Sequence, residues 1–201
     1  ALKEYRASLG AVSPVCFAAF SREEQIAFLV NAYNASTVAL VLENLPLASI
    51  RDIGFLPGSA FRRDFISLGA LGTDEISLDD IEHETLRKKY REPRIHFSLV
   101  CAARSCPPLR PEAYRAGSLS AQLDDQGRLF LGDPAKNRFD EAGRTLFLSQ
   151  IFEWFSEDFV AASGSVGDFV APYLSGAAGS AARDPATRIE YLEYDWSLNG
   201  K

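Results

Sequence analysis

Cysteine and histidine are scarce in this chain, and most of them lie close together in the sequence. The 201 residues include three cysteines and two histidines. His83, His96, Cys101 and Cys106 fall within one stretch, and only Cys16 lies outside it. Thiol catalysis needs a cysteine thiolate, a base that generates it and a group that orients the base. Either cysteine of this stretch, together with either histidine, could supply the first two groups.

Glu82 is the candidate for the third group because of its position on a predicted helix. The spacing of apolar residues predicts this helix over residues 78–89. At about 100° per residue, Glu82 lies between Leu78 and Leu86, inside the apolar stripe. A buried carboxylate needs a partner or a raised pKa, although a slight turn of the helix would let Glu82 reach the rim instead. Adjacent helical residues do not face each other, so Glu82 and His83 cannot pair directly.

The segment around the two cysteines predicts a buried strand over residues 95–101, bounded by prolines on both sides. On a regular strand, His96 and Cys101 would point to opposite faces, which weakens that pair unless the strand ends or bulges first. Cys101 could instead be a small buried core residue, or it could form a labile disulfide with Cys106. A Cys2His2 zinc site is a further alternative, but the spacing matches known sites poorly and no metal site is predicted.

Two amides, Asn31 and Asn34, lie three residues apart on a predicted long helix. Their ordinary role would be to fix a neighbouring loop by hydrogen bonds, and the alternative is contact with a substrate. The chain contains no phosphate-binding loop, no GxGxxG and no GxSxG. Nucleotide-dependent enzymes and serine hydrolases are therefore not supported, and no cofactor is predicted.

The predicted elements are mainly helical. A capping box formed by Ser21 and Glu24 begins a helix over about 22–45. Further helices are predicted at 119–131, 150–159 and 166–174, short strands at 145–148 and 188–194, and a surface loop at 175–185. The large side chains of residues 194–199 predict that the C-terminal segment packs back on the domain. Because helices outnumber strands without alternating with them, the expected fold is α+β, a helix-rich single domain over 1–201 with a small β-sheet.

The overall composition fits one folded domain and excludes several partners. The hydrophobic content of 47% is typical of globular domains, and a net charge of −6 argues against nucleic acid as a partner. Polar residues interrupt the longest apolar run, 26–42, so no integral membrane segment is predicted. The chain contains no methionine. Its N-terminus is therefore expected to arise from processing, and export to the periplasm or out of the cell is an expectation.

Several blocks of the sequence resemble the domain of unknown function 547 family. These blocks are IAFLVNAYNA at 26–35, SIRDI at 49–53, SLDDIEH at 77–83, PRIHFSLVCAARSCPP at 93–108, LSQIFEWFSEDF at 148–159 and YDWSLN at 194–199. The resemblance covers roughly residues 22–199 in chain order, with residues 1–20 as an N-terminal extension. Because the blocks occur in register, together they are more specific than any one of them.

The resemblance implies a thiol-hydrolase-like site, in a fold distantly similar to papain or transglutaminase. Carried onto this chain, the site residues are Glu82, His83, His96 and Cys101, while Cys106 belongs to a bacterial form of the block. The leading hypothesis makes Cys101 the nucleophile, His96 its base and Glu82 the orienting carboxylate, with His83 as the substitute base. The substrate would be an amide or ester of a peptide or small molecule.

The competing hypothesis is a non-catalytic binding or scaffold module, in which the same residues only stabilise the fold. It predicts a Cys101 sulfur packed among apolar side chains, without an imidazole near it or a cleft beside it. No oligomeric state is predicted.

Overall fold

The computed structural model describes residues 1–56, 58–73 and 75–199. The α-helices are α1 (Leu2–Gly10), α2 (Pro14–Ala18), α3 (Arg22–Glu43), α4 (Ser59–Arg62), α5 (Leu119–Leu131), α6 (Ile151–Trp154), α7 (Ser156–Ser163), α8 (Val166–Val170) and α9 (Gly176–Ala182). A π-helix covers Asp80–Tyr90, and 3-10 helices cover Ile50–Asp52, Gly69–Leu71, Pro93–Phe97, Ala116–Ser118 and Ala171–Tyr173. The strands are β1 (Arg138–Asp140), β2 (Thr145–Ser149) and β3 (Arg188–Leu192).

Helix α3 is the centre of the larger part of the core. Its predicted capping box is confirmed: the Glu24 N–H donates to the Ser21 hydroxyl at 3.2 Å, and the Ser21 N–H donates to the Glu24 carboxylate at 2.7 Å. Contrary to the expectation from its polar interruptions, α3 is long and apolar enough to cross a membrane, with a mean hydropathy of 1.4. However, 72% of that stretch is buried inside the fold, as in the core helix of a globular domain.

Two hydrophobic clusters form most of the core, and the 3-10 helix Pro93–Phe97 contributes to both. The first cluster surrounds α3 and the π-helix and includes Ile95. The second includes Phe97 together with side chains from α5, the sheet and α6 to α9. Because Ile95 and Phe97 are both fully buried, in different clusters, the residue between them, His96, lies where the clusters meet.

The sheet has three strands in the order β1–β2–β3. Strand β1 pairs antiparallel with β2, and β2 pairs parallel with β3. A parallel pair requires a long crossover connection, which helices α6 to α9 provide here. This small mixed sheet beside many helices confirms the predicted α+β class.

The predicted strand over 95–101 is wrong, because this segment begins as the 3-10 helix Pro93–Phe97 and continues as a loop. Proline fixes the backbone at the first helical position, and the Glu92 side chain accepts a hydrogen bond from the Arg94 N–H at 3.2 Å. The apolar residues of the segment reflect burial in two clusters and not one face of a sheet. The argument that His96 and Cys101 must point to opposite faces therefore does not apply.

The helix predicted over 78–89 is present, but most of it is a π-helix. Its buried residues Ile81, Leu86 and Tyr90 follow spacings of five and four residues, as expected where hydrogen bonds join residues i and i+5. Residues five apart then lie on one face, so Glu82 and Arg87 share a side of the helix. π-Helical turns often occur at functional sites, and this one faces the cavity described below.

The segment predicted as a surface loop over 175–185 lies mostly at the surface, but most of it forms helix α9 and not a loop. Its small residues allow close packing: a Cβ atom added at Gly179 would lie 3.0 Å from the Leu174 carbonyl oxygen. Gly179 and Ala182 are accordingly buried. The small residues of α9 therefore reflect its close approach to the chain at Leu174.

The helix predicted over 150–159 is divided at Phe155 into α6 and α7. Phe155 leaves helical geometry, with φ of −112° and ψ of 24°. The prediction over 166–174 corresponds to α8 followed by the 3-10 helix Ala171–Tyr173.

Candidate active site

One cavity of about 180 Å³ is lined by all five residues of the predicted thiol site: Glu82, His83, His96, Cys101 and Cys106. Six aromatic side chains form much of the remaining wall: Tyr33, Phe61, Trp154, Phe155, Tyr194 and Trp196. A water molecule occupies about 30 Å³ in the liquid. The cavity therefore has room for a small acyl or amide group with apolar surroundings.

Asp158, at the third position of α7, holds the imidazole of His96. The distance between His96 Nε2 and Asp158 Oδ2 is 2.8 Å. The Phe155 ring stacks on the imidazole with 3.9 Å between ring centroids, which fixes the plane of the ring. Only 1% of the His96 side chain is exposed. The break between α6 and α7 thus places both the Phe155 ring and the Asp158 carboxylate against His96.

Asp158 is also paired with Arg87 of the π-helix. The guanidinium donates from Nε to Oδ2 at 2.6 Å and from Nη2 to Oδ1 at 3.0 Å. Burial alone would raise the pKa of Asp158, but hydrogen bonds from His96 and Arg87 outweigh it and hold the pKa well below its usual range. An ionised carboxylate only accepts hydrogen bonds, so the proton in the contact lies on His96 Nε2. In the neutral imidazole, Nδ1 is then free to accept a proton.

Glu82 lies on the opposite side of the His96 ring. Its Oε1 is 3.7 Å from His96 Nδ1, which is longer than a hydrogen bond. Its Oε2 accepts a hydrogen bond from the Tyr33 hydroxyl at 3.2 Å. Glu82 therefore faces the basic nitrogen, whereas His96 donates its direct hydrogen bond to Asp158. Burial and the charge of Glu82 raise the pKa of Tyr33 well above its ordinary value, so Tyr33 remains a donor.

His83 has a different hydrogen-bonding state from His96. The distance between Arg87 Nη1 and His83 Nδ1 is 3.1 Å. Because a guanidinium has no acceptor, Nδ1 must accept, and the proton of the neutral ring lies on Nε2. That nitrogen is 3.9 Å from Asp79 Oδ1. His83 is thus arranged as a hydrogen-bond donor at the edge of the cavity, and His96 has the better geometry for a base.

The Cys101 thiol is half-buried and contacts the Tyr194 hydroxyl at 3.1 Å. Hydrogen bonding from Cys106 lowers the pKa of Cys101, and the Tyr194 hydroxyl adds to this effect against the opposing effect of burial. Burial raises the pKa of Tyr194 far above its ordinary value, so the hydroxyl stays protonated and donates. Within residues 1–56, 58–73 and 75–199, no hydrogen bond joins Cys101 to either histidine.

The C-terminal segment positions Tyr194, and its predicted packing on the domain is confirmed. The Leu198 N–H donates to the Ala48 carbonyl at 2.7 Å, and the Asn199 N–H donates to the Ala102 carbonyl at 2.9 Å. Arg104 N–H donates in turn to the Ser197 carbonyl at 2.8 Å. These bonds hold the segment against the loop that follows Cys101.

Asn31 and Asn34 lie outside this cavity and bind loop backbone. The Asn34 side chain donates to the Ser98 carbonyl at 2.8 Å and accepts from the Val100 N–H at 3.0 Å. Asn31 makes the same pair of bonds with the backbone of Tyr114, each at 2.9 Å. Asn34 therefore fixes the chain just ahead of Cys101 without contacting the thiol. Across the described part of the chain, this cavity included, no group of three or more His, Cys, Asp or Glu side chains is arranged to hold a metal ion.

Sequence reasoning missed several polar residues of the site, among them Tyr33, Arg87, Asp158 and Tyr194. Asp158 follows Glu157 in a run of charged residues that resembles an ordinary solvated helix surface. Tyr33 falls on the apolar stripe of α3 and looks like a core residue. The signal that could have indicated them was an acidic residue and large aromatic side chains inside otherwise apolar segments.

Replacing Tyr194 by phenylalanine is expected to raise the pKa of Cys101, because it removes a hydroxyl that hydrogen-bonds the thiolate. The rate of alkylation by iodoacetamide should then fall roughly threefold to tenfold near neutral pH, and its pH profile should move to higher pH. The measurement is mass-resolved alkylation of Cys101 across the thiol titration range. Tyr191→Phe is the matched control, and an unshifted profile for Tyr194→Phe would contradict the assigned hydrogen bond.

Comparisons with known proteins were made for the whole chain. The sequence profile of a family described as "Protein of unknown function, DUF547" matches residues 17–131. Searches among curated proteins and among solved structures found no significant match. The matched region covers more than half of the chain, and it contains the π-helix, His96 and both cysteines of the cavity. The chain therefore belongs to the DUF547 family of proteins of unknown function.

Proposed function

We propose that this protein is a thiol-dependent acyl-transfer enzyme, a hydrolase or acyltransferase that acts on a small amide or ester. Cys101 would be the nucleophile, His96 the general base and Asp158 the group that orients it. The observation that carries the proposal is the ionised Asp158 bound to His96 Nε2 at 2.8 Å, which leaves Nδ1 available at the cavity lined by the Cys101 thiol. A nucleophile, a base and an orienting group are the minimal set for this chemistry.

The proposed reaction begins when the Cys101 sulfur attacks the substrate carbonyl carbon and its proton passes to His96 Nδ1. The carbonyl π electrons move to oxygen, and the Tyr194 hydroxyl, 3.1 Å from the sulfur, is within reach to donate to that oxyanion. Collapse of the intermediate breaks the bond to the leaving group, which takes the proton from Nδ1. Water, or an acceptor amine or alcohol, then attacks the thioester and releases the acyl group, with His96 again acting as base.

Approach of Cys101 to His96 is required in this mechanism, since no hydrogen bond joins the two side chains in the described part of the chain. Catalytic hydrogen bonds are often long before substrate binds. Rotation about the Cys101 Cα–Cβ bond would exchange the Tyr194 contact for one with the imidazole. Glu82 Oε1, 3.7 Å from Nδ1, would stabilise the imidazolium that forms, because opposite charges at this distance attract.

The proposal is tested with p-nitrophenyl acetate, an activated ester that acylates reactive thiols. The expected result is release of p-nitrophenolate with an acetyl group retained on Cys101, located by peptide mass spectrometry. Cys16, which is exposed, provides the comparison within the same chain, and Cys101 should acylate roughly tenfold faster or more. His96→Gln should reduce the Cys101 rate toward that of Cys16. Equal rates at the two cysteines, or a Cys101 rate unaffected by His96→Gln, would overturn the proposal.

A non-catalytic binding module is the second candidate, favoured by one observation. The Cys101 thiol is hydrogen-bonded to Tyr194 and packs beside Trp196 and Tyr194, and among the described residues no hydrogen bond joins it to an imidazole. In such a module the cavity would bind a small group without transforming it. This candidate predicts no acetyl transfer to Cys101 and no turnover, so the same experiment separates the two functions.

A further inference from the structure

Cys106 forms no bond to the substrate in the proposed acyl transfer, yet its sulfur directly contacts the backbone of the nucleophile. Its sulfur accepts a hydrogen bond from the Cys101 N–H at 2.8 Å. Cys106 is 2% exposed, whereas Cys101 is half-buried, and both line the same cavity. A buried thiol beside an accessible one is the arrangement of a resolving cysteine and a reacting cysteine.

The loop between the two cysteines is folded so that the Cys106 sulfur lies against the Cys101 N–H. Ala102 has a φ of 59°, a left-handed conformation that is unfavourable for a residue with a side chain. The Cys106 N–H donates to the Ala103 carbonyl at 3.1 Å, which closes a turn, and Asn199 holds the Ala102 carbonyl from the C-terminal segment. The surrounding structure therefore holds an unfavourable backbone conformation in the same loop that places the Cys106 sulfur against the Cys101 N–H.

The two thiols also differ in ionisation. Hydrogen bonds from Cys106 and Tyr194 lower the pKa of Cys101, whereas burial and the neighbouring Cys101 raise the pKa of Cys106 well above its ordinary value. The thiolate is the form that reacts with oxidants. Oxidation should therefore begin at Cys101, with Cys106 still carrying its proton.

We propose that Cys101 and Cys106 form a reversible intramolecular disulfide in response to hydroperoxides. The Cys101 thiolate attacks the distal peroxide oxygen, the O–O bond breaks, and Cys101 becomes a sulfenic acid, while the leaving alkoxide or hydroxide takes a proton from solvent to give an alcohol or water. The Cys106 sulfur then attacks the Cys101 sulfur, hydroxide leaves, and the Cys106 proton converts it to water. A dithiol reductant restores both thiols by exchange. Formation of the disulfide does not depend on the proposed function, but its consequence, reversible inactivation of the nucleophile, rests on it.

The test uses the Cys16→Ser variant, which retains only these two cysteines. After treatment with hydrogen peroxide, the expected product has no free thiol and a mass lower by two hydrogens. Peptide mapping should show a cross-link between positions 101 and 106. Dithiothreitol should restore both thiols. Because Trp154 and Trp196, the two tryptophans of the chain, both contact Tyr194, loss of the Cys101–Tyr194 contact should also change the intrinsic fluorescence reversibly.

Cys16→Ser/Cys106→Ser is the matched variant without the resolving thiol. It should accumulate sulfenic acid that dimedone traps, and its recovery with dithiothreitol after excess peroxide should be at least about tenfold lower, because further oxidation is irreversible. Oxygen addition without a cross-link in the Cys16→Ser protein would overturn the proposal, as would two thiols that persist under peroxide. The cross-link result does not require the second variant to fold. A cross-link in a protein that fails to transfer acetyl would remove only the proposed acyl transfer.

Discussion

Asp158→Asn is expected to lower acetyl transfer to Cys101 by about 10²–10⁴-fold, because it removes the charge that fixes the His96 tautomer. In the native protein an anionic Asp158 keeps the proton on Nε2 and leaves Nδ1 as the base. An asparagine amide can present either a donor or an acceptor to Nε2, so this assignment is lost. The measurement is the rate of p-nitrophenolate release with mass detection of the acylated cysteine. Glu157→Gln, a change at the exposed neighbouring residue, should leave the rate within a factor of about two.

The same substitution is expected to change the acid stability of the fold. Asp158 is ionised, half-buried and bound to Arg87, and loss of a charged hydrogen-bond partner costs about 1–3 kcal/mol, at the lower end for a partly exposed group. Because its pKa is lower in the folded state than in the unfolded chain, this contribution is present above the unfolded value of about 3.9 and is lost as pH falls toward the folded value. Urea unfolding should therefore show a large difference between wild type and Asp158→Asn near neutral pH that shrinks on acidification. A difference that stays constant would contradict ionised Asp158 as the source of the stability.

The sequence predicted which residues line the cavity better than it predicted the local structure that holds them. Glu82, both histidines, Cys101 and Cys106 line one cavity. They could be predicted because each is an unusual residue type among apolar neighbours. The π-helix could not be predicted, since an apolar spacing at 78, 81 and 86 also fits a regular helix. Its wider turn decides that Glu82 and Arg87 share a face, and Arg87 in turn holds Asp158.

Long-range partners were the other part that sequence alone could not supply. His96 and Asp158 are separated by 62 positions in the chain, and Cys101 and Tyr194 by 93. No local pattern relates such residues, whereas the capping box of α3 joins Ser21 and Glu24 three positions apart and was predicted correctly. The strand predicted over 95–101 failed for a related reason: its apolar residues are buried in different clusters, which the order of residue types does not reveal.

Phe97→Ala is expected to destabilise the fold by about 3–5 kcal/mol, the largest stability effect predicted for a single side chain here. Phe97 is fully buried, and its ring contacts Phe130, Phe152, Phe159 and Phe169 at centroid distances of 5.8 to 6.4 Å. Truncation would leave a cavity that these rings cannot easily fill. The measurement is urea unfolding at neutral pH, with the exposed Phe55→Ala as the same deletion outside the core and an expected change below about 0.5 kcal/mol.

Phe97→Ala is also expected to affect the candidate active site, because Phe97 directly follows His96 in the chain. Phe97 anchors the 3-10 helix Pro93–Phe97 in the second cluster, and Phe159 contacts both Phe97 and the His96 ring. Loosening this anchor should let the imidazole move away from Asp158, so the folded fraction of Phe97→Ala should acylate Cys101 more slowly than wild type. Phe97→Leu retains an apolar anchor and should recover most of both losses. A folded Phe97→Ala protein with an unchanged acylation rate would show that Asp158 and the stacked Phe155 ring hold His96 without this anchor.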